Sequence, residues 1–134
     1  MLIKAENLNN VFILTNIDDN DLRYYYQLAD IFVLPQRDKK EDQEGFGIVF
    51  LEAGSYGLAI IAGQEGGPRE ILTNNKNSLL ITQDNLGELK EALLLLVFNK
   101  NSSVFIIVVV PDSIFIPPFV IKLILSVDKL SVSN

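Results

Sequence analysis

Two carboxylates, Glu44 and Glu52, frame the part of this 134-residue chain whose residue types are best suited to chemistry. Seven residues separate them, and Gly45-Phe46-Gly47 follows the first. We expect a helix to begin here, with Glu44 just outside it and Glu52 about one and a half turns in. Because carboxylates accept hydrogen bonds from hydroxyls, the pair suits a polyhydroxylated ligand. The spacing fits a purely structural interpretation equally well, in which Glu44 is a favourable charge in the first turn of the helix and Glu52 is a solvated helical glutamate.

Two glycine-containing loops each follow an apolar run that is typical of a buried strand. The first, 35–47, leads into the helix of Glu52, and the second, 63–70, contains Gly66 and Gly67. Backbone N–H groups in such loops, aided by a helix dipole, favour anions such as phosphates. Glycine after a strand is more often a simple turn, and the chain contains neither GxxxxGK[ST] nor GxGxxG. The loops alone leave both interpretations open.

The composition excludes several kinds of chemistry. The chain has no cysteine and no histidine, which removes disulfides, thiol catalysis and imidazole bases, and we predict no metal site. Eleven basic against 17 acidic residues give a net charge of −6, which argues against nucleic-acid binding. An apolar content of 49% excludes intrinsic disorder. Residues 1–10 have no apolar run and no cleavage site for a targeting signal, so we expect a cytoplasmic protein.

Strand-like apolar runs alternate with helical stripes along residues 1–99. We predict buried parallel strands at 10–15, 31–34, 59–62 and 79–82. The predicted helices are one capped by residues 18–21, one that ends at Gly57, and one from 86 to 98 with Asp84 as its N-cap. This alternation with short connections predicts an α/β fold, a Rossmann-like parallel sheet with helices on both faces.

Charge and composition change near residue 100. Residues 1–99 hold 8 basic and 15 acidic side chains, net −7, whereas residues 100–134 hold 3 and 2, net +1. Between residues 104 and 127, 17 of 24 residues are apolar. We therefore divide the chain into 1–99 and 100–134.

Several segments together resemble the retaining, GT-B-type glycosyltransferases known as group 1. EGFGIVFLEA (44–53) resembles the EGFG…E signature of that family, and YQLADIFVLP (26–35) resembles its stretch ending in "AD.FVLPS". IIAG (60–63) with GGPREI (66–71), and then NSLL (77–80), follow in the family's order and spacing. The resemblance covers about residues 10–97. It implies part of the donor-binding domain of the GT-B architecture.

The resemblance also implies roles for individual residues. Glu52 resembles the glutamate that hydrogen-bonds the ribose of the nucleotide. Glu44 resembles the catalytic-site glutamate near the donor sugar, where it stabilises charge that develops on the transferred glycosyl group. The other implied substrate-binding residues act through backbone amides or shape the adjoining wall: Gly45, Phe46, Gly47, Gly66 and Gly67.

The sequence departs from the family pattern at five positions. Thr15, Ala59, Asn75 and Ser78 replace residues that are usually glycine or proline, and Gln36 replaces a serine. Family members also carry an upstream half-domain with an Arg and a Lys that neutralise the donor diphosphate, and an N-terminal acceptor domain. We find no segment that stands in for either. The five departures, taken together, point to a divergent or relaxed member.

Residues 100–134 do not resemble the family, and we keep three interpretations of them. A segment from 104 to 127 is long enough to span a bilayer, but Asp112, Lys122 and three prolines make membrane association the less favoured alternative. A buried strand pair or a hydrophobic contact for a partner is the second. A tail that is not evolved family sequence is the interpretation that we favour.

We therefore predict a glycosyltransferase-type domain that binds a nucleotide-sugar, UDP- or GDP-linked by resemblance, without a further cofactor or metal. The family reaction is retaining transfer of the sugar to an acceptor hydroxyl, and we expect the chain to be inactive alone. A second polypeptide that supplies the other half is the implied partner. The alternative is a non-catalytic or degenerate GT-B-like module that acts as a structural or interaction subunit.

Overall fold

The computed structural model describes residues 3–4, 11–13, 17–35, 46–64, 70–99, 104–109 and 121–127. Within these ranges the chain forms seven strands and three helices. The strands are β1 (Ile3–Lys4), β2 (Val11–Ile13), β3 (Ile31–Leu34), β4 (Ala59–Gly63), β5 (Leu79–Ile81), β6 (Val104–Val109) and β7 (Ile121–Val127). The helices are α1 (Asp19–Leu28), α2 (Phe46–Ser55) and α3 (Leu86–Phe98).

All seven strands belong to one sheet in the order β1-β2-β7-β6-β3-β4-β5. Strands β6, β3, β4 and β5 are parallel neighbours, whereas β7 is antiparallel to both β6 and β2. All four side chains of β3 are buried, as expected for a strand inside a sheet that is covered on both faces. The predicted Rossmann-like α/β fold is confirmed.

A hydrophobic core lies on each face of the sheet. On the face covered by α1 and α2, Tyr26 and Phe50 pack with Phe32 of β3. On the face covered by α3, Ala92 and Val97 pack with residues of β3, β4 and β6. Helices therefore cover both faces, and α2 begins on the carboxyl side of β3 because it connects β3 to the parallel strand β4.

The prediction of a parallel strand at 10–15 is wrong in its pairing. The described strand is β2 (Val11–Ile13), which is antiparallel to β1 and to β7. Strand β2 runs in the same direction as β6 and β3, but β7 lies between them and runs the opposite way. A short apolar run indicates burial in a sheet and carries no information on which strand pairs with it.

Helix caps agree with the sequence in two cases and differ in one. The Asp18 carboxylate accepts a 2.8 Å hydrogen bond from the Asp21 N–H, so the predicted cap of α1 is confirmed. For α3 the predicted N-cap Asp84 is wrong, because Asp84 has a left-handed φ of 55° and the cap is Asn85. The Asn85 side chain accepts from the Glu88 N–H, and the Glu88 carboxylate accepts in return from Asn85 Nδ2.

Helix α2 ends at a glycine, as predicted. Gly57 has a φ of 76°, and its N–H donates to the Gly54 carbonyl at 3.0 Å. The Leu58 N–H donates to the Ala53 carbonyl at 3.2 Å, and both of these side chains are buried. This is the Schellman arrangement, in which a left-handed residue closes the last turn of the helix.

Strands β6 and β7 lie in residues 100–134, for which the sequence predicted no resemblance to the family. They pair with each other, and β6 also pairs with β3. Of the three interpretations of the C-terminal segment, the strand pair is therefore the one that agrees with these two strands. In the described ranges, no helix has the length and apolarity needed to cross a membrane. The division of the chain at residue 100 stays a prediction.

Candidate functional site

The carboxyl ends of the parallel strands define the edge where the sequence places a site. Strand β3 ends at Leu34, β4 at Gly63 and β5 at Ile81, and the register places these ends side by side. Both glycine-containing loops begin at this edge. Ligands of open α/β sheets bind beyond the carboxyl ends of the strands, so the topology agrees with the predicted position.

Three of the seven predicted site residues lie within the described residues. Phe46 and Gly47 are the first two residues of α2, and Glu52 is its seventh. The first four N–H groups of an α-helix have no acceptor within the helix, so these two positions present backbone donors. Four predicted residues lie outside the described residues: Glu44, Gly45, Gly66 and Gly67.

Glu52 is exposed, and its carboxylate lies close enough to the Tyr26 side chain of the neighbouring helix to act on the pKa of Tyr26 through its charge and a hydrogen bond. Tyr26 is almost fully buried at 3% exposure, and its ring stacks on Tyr56 with a centroid distance of 5.4 Å. A second ring, Phe32, lies tilted at 6.0 Å. The phenol is thus held by packing on two sides while its hydroxyl meets the carboxylate.

This environment raises the pKa of Tyr26 above its ordinary value. Burial of the phenol is the largest cause, followed by the negative charge of Glu52, the neighbouring Tyr56 and the hydrogen bond to Glu52. The Tyr26 hydroxyl therefore keeps its proton and acts as the donor in this contact. Sequence reasoning missed Tyr26 as a site residue, since its position in the α1 stripe indicated only a buried aromatic.

A second carboxylate near the carboxyl edge, Glu88 of α3, has a structural role. One of its oxygens accepts from the Thr82 N–H, and the other accepts from the Thr82 hydroxyl at 3.0 Å and from Asn85 Nδ2 at 2.9 Å. These bonds tie the end of β5 to the start of α3. The spacing Asn85-x-x-Glu88 resembles a capping box, but the Glu88 carboxylate accepts from the Asn85 side-chain amide, while the Asn85 backbone N–H donates to the Thr82 carbonyl.

The end of β4 is joined to the end of β5 beside this cap. The Gln64 N–H donates to the Ile81 carbonyl at 2.9 Å, and Gln64 Nε2 donates to the Thr82 hydroxyl at 3.4 Å. Gln64 lies in the second glycine-containing loop, directly before its undescribed part at 65–69. No sequence pattern distinguishes Gln64 from other polar loop residues.

Three of the five departures from the family pattern lie at the opposite edge of the sheet. Ala59 begins β4, and Asn75 and Ser78 precede β5. Asn75 has a left-handed φ of 58°, which asparagine tolerates better than most residues, and its N–H donates to the Ser78 carbonyl at 2.9 Å. These departures therefore do not touch the carboxyl edge. Thr15 and Gln36 lie outside the described residues.

The described residues also form two open clefts, of about 360 and 380 Å³. Both lie at the amino-terminal edge of the sheet, one beside the 75–78 turn and one beneath the end of α2. Neither includes Glu52 or the first turn of α2. Within the same residues, no group of three or more acidic, histidine or cysteine side chains is placed to hold a metal ion.

A sequence model of the family described as "Glycosyl transferases group 1" matches residues 1–105. The GDP-mannose-dependent alpha-(1-6)-phosphatidylinositol monomannoside mannosyltransferase of Mycobacterium tuberculosis is 34% identical over 87 residues, 63% of this chain and 23% of the relative. The GDP-mannose-dependent monoacylated alpha-(1-6)-phosphatidylinositol monomannoside mannosyltransferase of Corynebacterium glutamicum is 36% identical over 87 residues, with the same coverage. Sucrose-phosphate synthase 4 of Arabidopsis thaliana is 41% identical over 58 residues, 43% of this chain and 6% of the relative.

The chain thus spans about a quarter of the length of the mannosyltransferases that it matches, with 23% of each covered. No solved structure gives a significant match.

Proposed function

Because the chain belongs to the group 1 glycosyltransferases, we propose that residues 1–99 bind the nucleotide of a nucleotide-sugar donor at the carboxyl edge of the sheet. The observation that supports this most directly is Glu52. Its carboxylate is exposed on α2, yet a buried phenol from another helix contacts it. An ordinary surface glutamate has no such partner, and a partner from a second helix limits the rotamers that a carboxylate samples before a ligand binds.

Each predicted site residue has one task in this proposal. The Glu52 carboxylate accepts hydrogen bonds from the ribose hydroxyls, and the N–H groups of Phe46 and Gly47 meet phosphate or sugar oxygens. Glu44 lies near the transferred sugar. The wall of the crevice comes from the second glycine-containing loop, with Gly66 and Gly67.

GDP is the nucleotide to test first. Three similar mycobacterial and corynebacterial proteins carry "GDP-mannose-dependent" in their names. The names of the sucrose-phosphate synthases do not state a donor, so UDP is the second candidate, by family resemblance alone. With GDP-mannose, the donor in those names, the proposed family reaction is a retaining transfer of mannose.

We also propose that these 134 residues do not transfer sugar by themselves. Residues 1–99 carry a net charge of −7, and a donor diphosphate next to this segment is repelled unless cations neutralise it. A second polypeptide that supplies those cations is the partner that this charge balance calls for. Sugar transfer or donor hydrolysis above background by the purified chain would contradict this part of the proposal.

The test is a calorimetric titration of GDP, UDP and ADP into the full chain and two variants. Glu52→Gln keeps the shape of the side chain and removes its charge. We expect GDP to bind about ten-fold more weakly, or weaker still, because hydrogen bonds to charged groups contribute about 1.5–3 kcal/mol. Glu91→Gln, an exposed glutamate on α3, is the matched control and leaves affinity unchanged.

The competing function is a non-catalytic GT-B-like module that serves as a structural or interaction subunit. The net charge of −7 over residues 1–99, which disfavours a bound diphosphate, favours it. It predicts no binding of any of the three nucleotides to the wild-type chain. Binding that Glu52→Gln leaves intact would overturn the role of Glu52 while keeping a nucleotide site.

A further inference from the structure

The last two strands of the chain lie in the middle of the sheet. Strand β2 connects through α1 to β3, but the two strands are not neighbours, because β7 and β6 occupy the positions between them. Consecutive strands usually lie side by side, so a connection that skips two positions needs other segments to fill them. Here residues 104–109 and 121–127 do so.

The arrangement matches the strand order of a doubly wound sheet. That order is 3-2-1-4-5-6, and reading this sheet from β2 to β5 gives β2-β7-β6-β3-β4-β5. Strands β6 and β7 therefore stand at positions 1 and 2. Strand β6 has the orientation that position 1 requires, parallel to β3, and only β7 is reversed.

We propose that the strand pair β6–β7 is an internal complement of the sheet, which fills the two central positions beside β3 and makes residues 1–99 fold as part of one cooperative unit. The inference rests on strand order and packing and is independent of the proposed function. It also predicts that β3 is closed to strand pairing with another polypeptide while β6 is in place. The match to the family ends at residue 105, two residues into β6.

Side-chain packing supports the proposal on both faces of the sheet. Val104 and Ile106 are buried in the core beneath α3, together with Ile31 and Val33 of β3. Ile107 is buried in the other core, at 1% exposure, together with residues of α1 and α2. A tail that only rested against the surface would not contribute buried residues to both cores.

Hydrogen bonds at the start of β3 support it as well. The Asp30 N–H donates to the Phe105 carbonyl at 2.8 Å, and the Phe105 N–H donates to an Asp30 carboxylate oxygen at 3.0 Å. The Asp30 carbonyl accepts from the Ala59 N–H of β4 at 3.0 Å. One residue of the family-like segment thus joins β4 on one side to β6 on the other, across 75 positions of sequence.

The chain provides its own probe for the test. It contains no tryptophan, and its four tyrosines are residues 24–26 and 56, all far from the C-terminal strands in sequence. Tyrosine fluorescence during urea unfolding therefore reports on residues 1–99 alone. We compare Ile107→Ala, at a fully buried position of β6, with Phe105→Ala, whose side chain on the same strand is 41% exposed.

We expect Ile107→Ala to lower the urea midpoint of the tyrosine-detected transition clearly, and Phe105→Ala to lower it less. A single transition that coincides by tyrosine fluorescence and circular dichroism is expected for the wild type. An unchanged tyrosine midpoint in Ile107→Ala would overturn the proposal, since only a tail that folds independently leaves residues 1–99 unaffected. Equal shifts in both variants would overturn it as well, because they would contradict the core packing of Ile107 from which it is argued.

A second measurement keeps the proposal testable if Ile107→Ala does not fold. The chain lacks cysteine, so a pair of engineered cysteines reports one contact. Val33→Cys with Val108→Cys joins directly opposed positions of β3 and β6, whereas Val33→Cys with Leu123→Cys places the second thiol one strand further, on β7. That control separation is about 10 Å, beyond the reach of a disulfide.

Mild oxidation should give an intramolecular cross-link in the first pair and none in the control. The product is a monomer on a non-reducing gel, and proteolysis leaves the two peptides joined. Cross-linked dimers would assign β6 to a second copy of the chain, and equal cross-linking of both pairs would show that β6 has no fixed register. Either result contradicts an internal complement.

Discussion

The contact between Tyr26 and Glu52 distinguishes this glutamate from an ordinary helical one. By spacing alone, a ligand-binding carboxylate and a solvated glutamate were equally good interpretations of Glu52. The structure places the hydroxyl of a 3%-exposed phenol against it, and that phenol is held by Tyr56 and Phe32. A restrained, exposed carboxylate is better prepared to meet two ribose hydroxyls than a mobile one, because less side-chain entropy is lost on binding.

Replacing Tyr26 with Phe tests this positioning role. Tyr26→Phe keeps the ring and its stacking and removes only the hydroxyl, so we expect GDP affinity to fall by about five-fold, or about 1 kcal/mol. Titration calorimetry measures the affinity. The matched control is Tyr25→Phe on the same helix, at a half-buried neighbouring position. In the background of Glu52→Gln, Tyr26→Phe should have no further effect, and a full additive loss would show that the two side chains act separately.

The raised pKa of Tyr26 gives a second residue-scale prediction. Tyr26 should ionise above the ordinary pH range of a tyrosine, measured by tyrosinate absorbance, and Tyr26→Phe should remove this step. Glu52→Gln removes the neighbouring negative charge, so it should lower the pKa of Tyr26, although burial keeps that pKa above the ordinary value. If the step that Tyr26→Phe removes lies at the ordinary pKa of tyrosine, the described environment is contradicted.

The sign of the pH effect on stability follows from the same shift. The folded state holds the Tyr26 proton more tightly than the unfolded state, whose tyrosine pKa is about 10. The free energy of unfolding should therefore carry the full contribution of Tyr26 below pH of about 10 and lose it as the pH rises toward the raised folded-state pKa. Urea unfolding of wild type and Tyr26→Phe above and below that pH measures the difference.

At the scale of single elements, the sequence specified most helix ends through local chemistry. The Asp18 cap of α1 and the Gly57 end of α2 depend on residues within one turn, which is why both could be predicted. The error at α3 is also local. Asp84 and Asn85 are adjacent capping candidates, and only Asn85 has a glutamate three residues later to complete the reciprocal pair.

The end of α2 gives a prediction at the scale of the element, with a control variant that should change the free energy of unfolding in the opposite direction. Gly57→Ala places a Cβ on a residue with φ of 76°, where no atom clashes but the backbone is strained, so we expect a loss of about 1 kcal/mol in unfolding free energy. Gly54→Ala is inside the helix, with the nearest atom to the new Cβ at 4.0 Å, and should stabilise by about 0.5–1 kcal/mol. Thermal or urea unfolding measures both, and equal effects would contradict the Schellman geometry.

At the scale of the molecule, the sequence predicted the strands better than their order. The apolar, partly β-branched runs of the sequence identify β3, β4 and β5, and the short connections through helices predict that these strands are parallel neighbours. The position of β6 depends on contacts 75 residues apart, which no local pattern encodes. The site divides in the same way. The motif within one segment pointed to Glu52. Its partner Tyr26 lies on another helix, so it could be identified only from the packing of the two helices in the structure.

The net charge of the chain gives a whole-molecule prediction for nucleotide binding. Residues 1–99 carry −7 and the whole chain −6, so an anionic nucleotide approaches through an unfavourable field. Raising the ionic strength shortens the Debye length from about 30 Å at 0.01 M to about 8 Å at 0.15 M and screens this repulsion. We therefore expect GDP affinity to increase with salt, by up to about five-fold if about 1 kcal/mol of repulsion is removed.

Guanosine separates this field effect from other effects of salt, because it keeps the base and ribose but carries no phosphate charge. Its affinity should stay constant over the same range of ionic strength, while that of GDP rises toward it. If GDP binding weakens with salt instead, cations of the chain must neutralise the diphosphate locally despite the net charge, and the proposed need for a second polypeptide to supply them would fall. The direction of one salt titration thus decides whether the chain carries a self-sufficient diphosphate site or depends on a partner for it.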